Sequence, residues 1–116
     1  MTIAIIDYGS GNLRSAQKAF ERVASELSLK SEVILTANAA DVAAADHIVL
    51  PGVGAFADCE AGVVALDGMP EALRERVLIG GKPFLGICVG MQLLATTGYE
   101  REVTSGLDWL PGHVQK

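Results

Sequence analysis

The chain has 116 residues, 50% hydrophobic and 20% charged, which suits one folded domain and excludes a disordered, charge-rich segment. Fourteen acids against nine bases leave a net charge of −5 with no basic run, so neither nucleic acid nor an anionic membrane surface is an expected partner. No apolar run is long enough to span a bilayer and the opening residues lack a basic n-region, so the expected compartment is the cytoplasm.

The first element, residues 2–7, is an Ile-rich run apolar on both faces, as expected for a strand buried in a parallel sheet. It stops at Tyr8-Gly9-Ser10-Gly11-Asn12, where the glycines allow a turn. Residues 13–29 carry helical spacing, with Leu13, Ala16, Phe20, Val23, Ala24 and Leu27 on one stripe. Residues 32–36 predict a second strand and residues 39–45 a short Ala-rich helix. His47-Ile48-Val49-Leu50 is a third strand, stopped by Pro51-Gly52. Residues 56–66 and 70–79 read as helices split by Asp67-Gly68. Residues 83–88 form a fourth strand, and a helix over 91–95 follows it directly. Beyond Thr97 the pattern loosens, and residues 107–110 read as a strand or an extended loop.

Strands alternating with helices predict an α/β fold, a doubly wound and mainly parallel sheet in one domain. Right-handed crossovers would place helices on both faces. Ligands of such sheets sit at the carboxyl ends of the strands, near a switch in strand order.

The stretch richest in chemistry is Gly86-Ile87-Cys88-Val89-Gly90-Met91-Gln92. A cysteine at a strand end, flanked by glycines two residues before and after, has the layout of a nucleophile elbow. A sharp strand-to-helix turn brings backbone close to backbone, and a Cβ at the glycine positions would clash. The helix N-terminus then favours the thiolate, and the Val89 N–H can hold an oxyanion. The competing reading is a buried structural cysteine between packing glycines.

Leu50-Pro51-Gly52-Val53-Gly54-Ala55-Phe56 also follows a strand, so it reaches the same sheet edge. Its backbone is either a second oxyanion donor or a turn that needs glycine for its conformation. Asp7-Tyr8-Gly9-Ser10-Gly11-Asn12 resembles a phosphate-binding turn but lacks the third glycine of a dinucleotide fingerprint, so a plain turn or a partner-facing loop is the stronger reading. Cys59 lies in a helix between Asp58 and Glu60, where negative charge disfavours a thiolate, and reads as a structural or bystander cysteine. Two cysteines are too few for a disulfide scaffold and lack metal-ligand spacing, and nothing calls for a metal or a cofactor. His47 and His113 are the only histidines available as a base for Cys88, and neither has a sequence context that points to that role.

Together these three stretches resemble the glutamine amidotransferase subunits of imidazole glycerol phosphate synthases, within the class I glutamine amidotransferases. The elbow alone is shared with subunits serving anthranilate, guanylate or cytidylate synthesis. The Pro-Gly-Val-Gly-Ala-Phe segment and the Asp-Tyr-Gly-Ser-Gly-Asn-Leu opening narrow the resemblance, which runs over residues 1–116 as the N-terminal part of one flavodoxin-like domain.

The resemblance implies a glutaminase in histidine biosynthesis. Cys88 would attack the side-chain amide of glutamine, form a thioester and release ammonia to a (β/α)8-barrel cyclase subunit in a heterodimer. It places Val89, Gly52, Val53 and Gly54 at the oxyanion, with a peptide orientation that responds to the partner. Gln92 and Glu100 would bind glutamine, Asn12 would face the cyclase, and His113 would fall in a turn after a strand.

The family's catalytic histidine and glutamate lie further downstream than Lys116. These 116 residues alone are therefore expected to hydrolyse glutamine poorly. Three other readings stay open: a non-catalytic partner-binding module, another thiol hydrolase of similar fold, and a flavodoxin-like phosphate binder.

Overall fold

A computed structural model describes residues 1–115. Four strands, β1 (Thr2–Ile6), β2 (Glu32–Thr36), β3 (His47–Gly52) and β4 (Phe84–Cys88), form one wholly parallel sheet in the order β2-β1-β3-β4. The intervening helices are α1 (Leu13–Glu26), α2 (Ala39–Ala44), α3 (Phe56–Ala65) and α4 (Met69–Leu73). The chain starts in the middle of the sheet, steps out to β2 and returns past β1 to β3. The switch in strand order thus lies between β1 and β3, and the loops after them flank its crevice.

The alternation of a strand sorts the core into two faces. Ala4, Ile6, Ile48 and Leu50 pack with Val42, Phe56, Val63, Met69 and Leu73 of α2, α3 and α4. Ile3, Ile5 and Val49 face the other way, toward Leu13, Ala16 and Phe20 of α1. The stripe expected on α1 is only partly buried. Val23 and Leu27 are exposed, because α1 leans on β2, which among the described residues is an edge strand with no further strand beyond it to cover them.

In the second half the helical span expected over residues 70–79 is present but changes type, and the helix expected over 91–95 is shorter. The helix expected over residues 70–79 is a short α4 that widens into a π-helical segment, Arg74–Ile79, with the Gly80 N–H bonded to the Glu75 carbonyl at 2.8 Å. The helix expected over 91–95 is the single turn α5 (Val89–Gln92), and Ala95 already belongs to a strand. The carbonyls of Leu93 and Leu94, which a longer helix would use internally, instead accept the N–H groups of Leu107, Trp109 and Leu110.

Those bonds fasten a second, small sheet that the sequence does not announce. It comprises β5 (Ala95–Tyr99), β6 (Val103–Ser105) and β7 (Leu110–Gln115) in the order β6-β5-β7, with β5 antiparallel to β6 and parallel to β7. Residues 107–109 lead into β7 rather than forming a strand themselves, and the Trp109 and Phe84 rings pack edge to face with centroids 4.9 Å apart. His113 lies within β7, paired with Thr97, and not in a turn.

On the α1 side, β4 is left open. Leu85 is 48% exposed, and an apolar hollow lined by Phe20, His47, Val49, Phe84 and Leu85 runs beside this edge strand. Unpaired edges next to apolar surface invite self-association. The 116-residue chain is therefore expected to associate as its concentration rises, and Leu85→Lys to shift its sedimentation toward monomer. A strictly monomeric parent at high concentration would contradict this.

Candidate active site

The parallel register brings the sequence motifs to one sheet edge. Gly52, the last residue of β3, pairs with Cys88, the last residue of β4, and the loop after β1 lies on the same side. Cys88 is exposed and has φ +54° and ψ −121°. A side chain with positive φ sits in a region that costs about 1–3 kcal/mol and persists only when the surroundings enforce it.

The flanking glycines supply that enforcement. A Cβ on Gly86 would lie 2.7 Å from the Met91 Cα, and one on Gly90 would run into the Leu50 carbonyl. The turn from β4 into α5 is thus too tight for a side chain at Gly86 or Gly90. Backbone closeness moves the strain onto the cysteine and pushes its thiol out at the sheet edge. This is the elbow expected from the spacing. Because α5 is one turn long, it supplies little macrodipole, and the N–H groups of its first turn, Val89's first among them, are its contribution.

The segment after β3 is held from behind. The Tyr8 hydroxyl donates to the Pro51 carbonyl at 2.5 Å. Ser10 Oγ accepts the Val53 N–H at 3.0 Å and lies 2.9 Å from the Val53 carbonyl, to which Cys59 Sγ also donates at 3.2 Å. A trans peptide aims its N–H and C=O in opposite directions. With the Val53 N–H committed to Ser10, the Gly52 carbonyl points away from the β1–α1 loop. Gly54, at φ +91°, turns the chain into α3.

Gln92 and Glu100 come together. Both line a cavity of about 120 Å³ with Phe56, Gly98 and Tyr99, and Cys88 does not line it. The Glu100 carboxylate accepts the Phe56 N–H at 2.8 Å, satisfying a donor in the first turn of α3. Asn12 is exposed at the N-terminus of α1, on the same edge as Cys88, and its side chain makes no capping bond.

Neither histidine reaches the thiol. His47 opens β3 and Gly52 closes it, so His47 lies about 16 Å down the strand from Cys88's partner, at roughly 3.3 Å per residue. The His113 Nε2 is 2.9 Å from the Gln115 side chain, and its ring packs edge to face with Tyr99 in the second sheet. Among the described residues, no side chain hydrogen-bonds the Cys88 thiol.

Sequence reasoning missed Tyr8, Ser10 and Cys59 as a group. Cys59 is buried, being 1% exposed, and its contacts fall on the candidate oxyanion segment. The available signal was its place in the first turn of the helix that follows that segment, which faces it back toward the loop.

Gly90→Ala is expected to cost at least about 3 kcal/mol, because its Cβ meets backbone that cannot yield. Urea denaturation checks this, and a loss under about 1 kcal/mol would show that the turn tolerates a side chain.

The sequence matches the family model for "Glutamine amidotransferase class-I" over residues 4–106. It is 60% identical to "Imidazole glycerol phosphate synthase subunit HisH" of Brucella suis biovar 1 (strain 1330), across all 116 residues and 54% of that protein. The proteins of the same name from Mesorhizobium japonicum (strain LMG 29417 / CECT 9101 / MAFF 303099) and Bradyrhizobium diazoefficiens (strain JCM 10833 / BCRC 13528 / IAM 13628 / NBRC 14792 / USDA 110) are 58% and 55% identical, again over the full chain and 54% of each. The chain thus spans about half the length of the curated relatives it matches. With a family match over nearly its whole length and an elbow of the expected geometry, the chain belongs to the class-I glutamine amidotransferase family.

Proposed function

We propose that these residues form the nucleophile-bearing half of the glutaminase subunit of an imidazole glycerol phosphate synthase. The observation that carries the reading is Cys88, held at φ +54° on the tip of β4 opposite Gly52. The high identity to HisH subunits narrows the pathway to histidine biosynthesis.

In this reading the Cys88 thiolate attacks the side-chain amide carbon of glutamine. The tetrahedral intermediate collapses to a glutamyl thioester as ammonia leaves, and water then frees glutamate. The Val89 N–H holds the developing oxyanion. The Val53 N–H joins it once the Gly52–Val53 peptide turns over and releases Ser10. Gln92 and Glu100 grip the substrate, with Glu100 exchanging its bond to the Phe56 N–H for the glutamine ammonium group. Ammonia passes to a (β/α)8-barrel cyclase subunit, docked over the edge that carries Asn12, for synthesis of imidazole glycerol phosphate and an aminoimidazole carboxamide ribotide.

The base that activates Cys88 comes from beyond residues 1–116, since His47 and His113 both lie elsewhere. The same observation favours a second reading, in which the 116 residues bind the cyclase without catalysing anything.

Ammonia release from glutamine separates the two. With the cyclase present, the 116-residue chain is expected to be inactive. A chain extended by the downstream half of its relatives is expected to be active, and Cys88→Ala in that longer chain to lose at least about a thousandfold in kcat. Turnover by the 116 residues alone, or turnover that survives Cys88→Ala, would overturn the proposal. Cyclase binding by a longer chain that remains inactive would favour the second reading.

A further inference from the structure

The polar groups behind the Pro51–Gly54 segment come from three places in the sequence and meet at one peptide. Tyr8, two residues past β1, donates to the Pro51 carbonyl. Cys59, in the first turn of α3, donates to the Val53 carbonyl and lies 3.4 Å from Ser10 Oγ. Gly62, three residues on, makes room for the Tyr8 ring. A Cβ there would come within 2.8 Å of the ring and 3.0 Å of the Tyr8 backbone oxygen. Burial, with the Cys59 thiol beside it, pushes the Tyr8 hydroxyl above the usual phenol range.

The gripped carbonyls, Pro51 and Val53, are those on either side of the Gly52–Val53 peptide. That peptide can turn as a crankshaft, by opposed rotations about Gly52 ψ and Val53 φ, while its neighbours stay still. Such a motion needs fixed pivots. We infer that Tyr8 and Cys59 are positioning residues that anchor the two pivots, so that the Gly52–Val53 peptide alone reorients and the Val53 N–H lands at the oxyanion. The inference rests on the glutaminase reading. It adds two residues that touch neither glutamine nor the thioester carbonyl.

The test uses the longer chain in complex with the cyclase. Tyr8→Phe deletes one oxygen and keeps the ring on Gly62. Cys59→Ala deletes the second donor, and Cys59→Ser restores a donor of similar shape. In Tyr8→Phe and Cys59→Ala, kcat for glutamine hydrolysis is expected to fall about tenfold, less than for outright loss of an oxyanion donor, while KM stays within about twofold. Cys59→Ser is expected to recover most of the loss. Alkylation of Cys88 by iodoacetamide, which needs no oxyanion hole, is expected to keep its rate in all three, and thermal melting reports whether each is folded. A parent complex that releases no ammonia overturns the underlying reading. An active parent matched by both Tyr8→Phe and Cys59→Ala overturns this inference alone. So does a fall in kcat that is accompanied by an equal fall in Cys88 alkylation, which would make the pair merely structural.

Discussion

The structure turns on a backbone contact. Where β4 passes into α5, the main chain at Gly90 lies against the Leu50 carbonyl of β3, and the main chain at Gly86 lies against Met91. No side chain fits at either glycine, so the turn can close only around a residue forced into positive φ, and that residue is Cys88. The strain of about 1–3 kcal/mol is local, and the packed sheet beneath sustains it. Without the fully buried Ile48 and Leu50 on β3, the elbow would have no surface to press against.

The strand direction explains why the motifs gather at one edge. A parallel sheet sends every strand's carboxyl end the same way. The switch in strand order between β1 and β3 opens a crevice between their loops. The β1–α1 loop fills that crevice by placing Tyr8 and Ser10 behind the segment that faces Cys88. A loop that resembles a phosphate-binding turn in sequence thus spends its Ser10 hydroxyl on its neighbour.

Much of this was legible in the sequence. β1, β3 and β4 follow from short apolar runs next to Gly or Pro, and the elbow follows from two glycines spaced around a cysteine. What escaped depends on contacts between distant residues. The start of the Ala95–Tyr99 strand reads as the tail of a helix because Leu93, Leu94 and Ala95 are good helix formers. Its state is decided by residues 106–110, whose N–H groups capture the carbonyls of residues 93–96. The exposure of Val23 and Leu27 is likewise set by how far the sheet extends, which helical periodicity does not encode. The grouping of Tyr8, Ser10 and Cys59 needs the β1–β3 pairing and the path of α3 before it appears at all.

The central claim is that the strained cysteine is the acylated atom. Its most direct test is to quench a reacting complex of the longer chain, cyclase and glutamine with acid, and to map the covalent adduct by mass spectrometry. The account predicts a glutamyl thioester on the peptide that carries Cys88, absent from Cys88→Ala and absent when glutamate replaces glutamine. An adduct on Cys59 instead, or active turnover with no adduct on Cys88 under conditions that preserve thioesters, would contradict it.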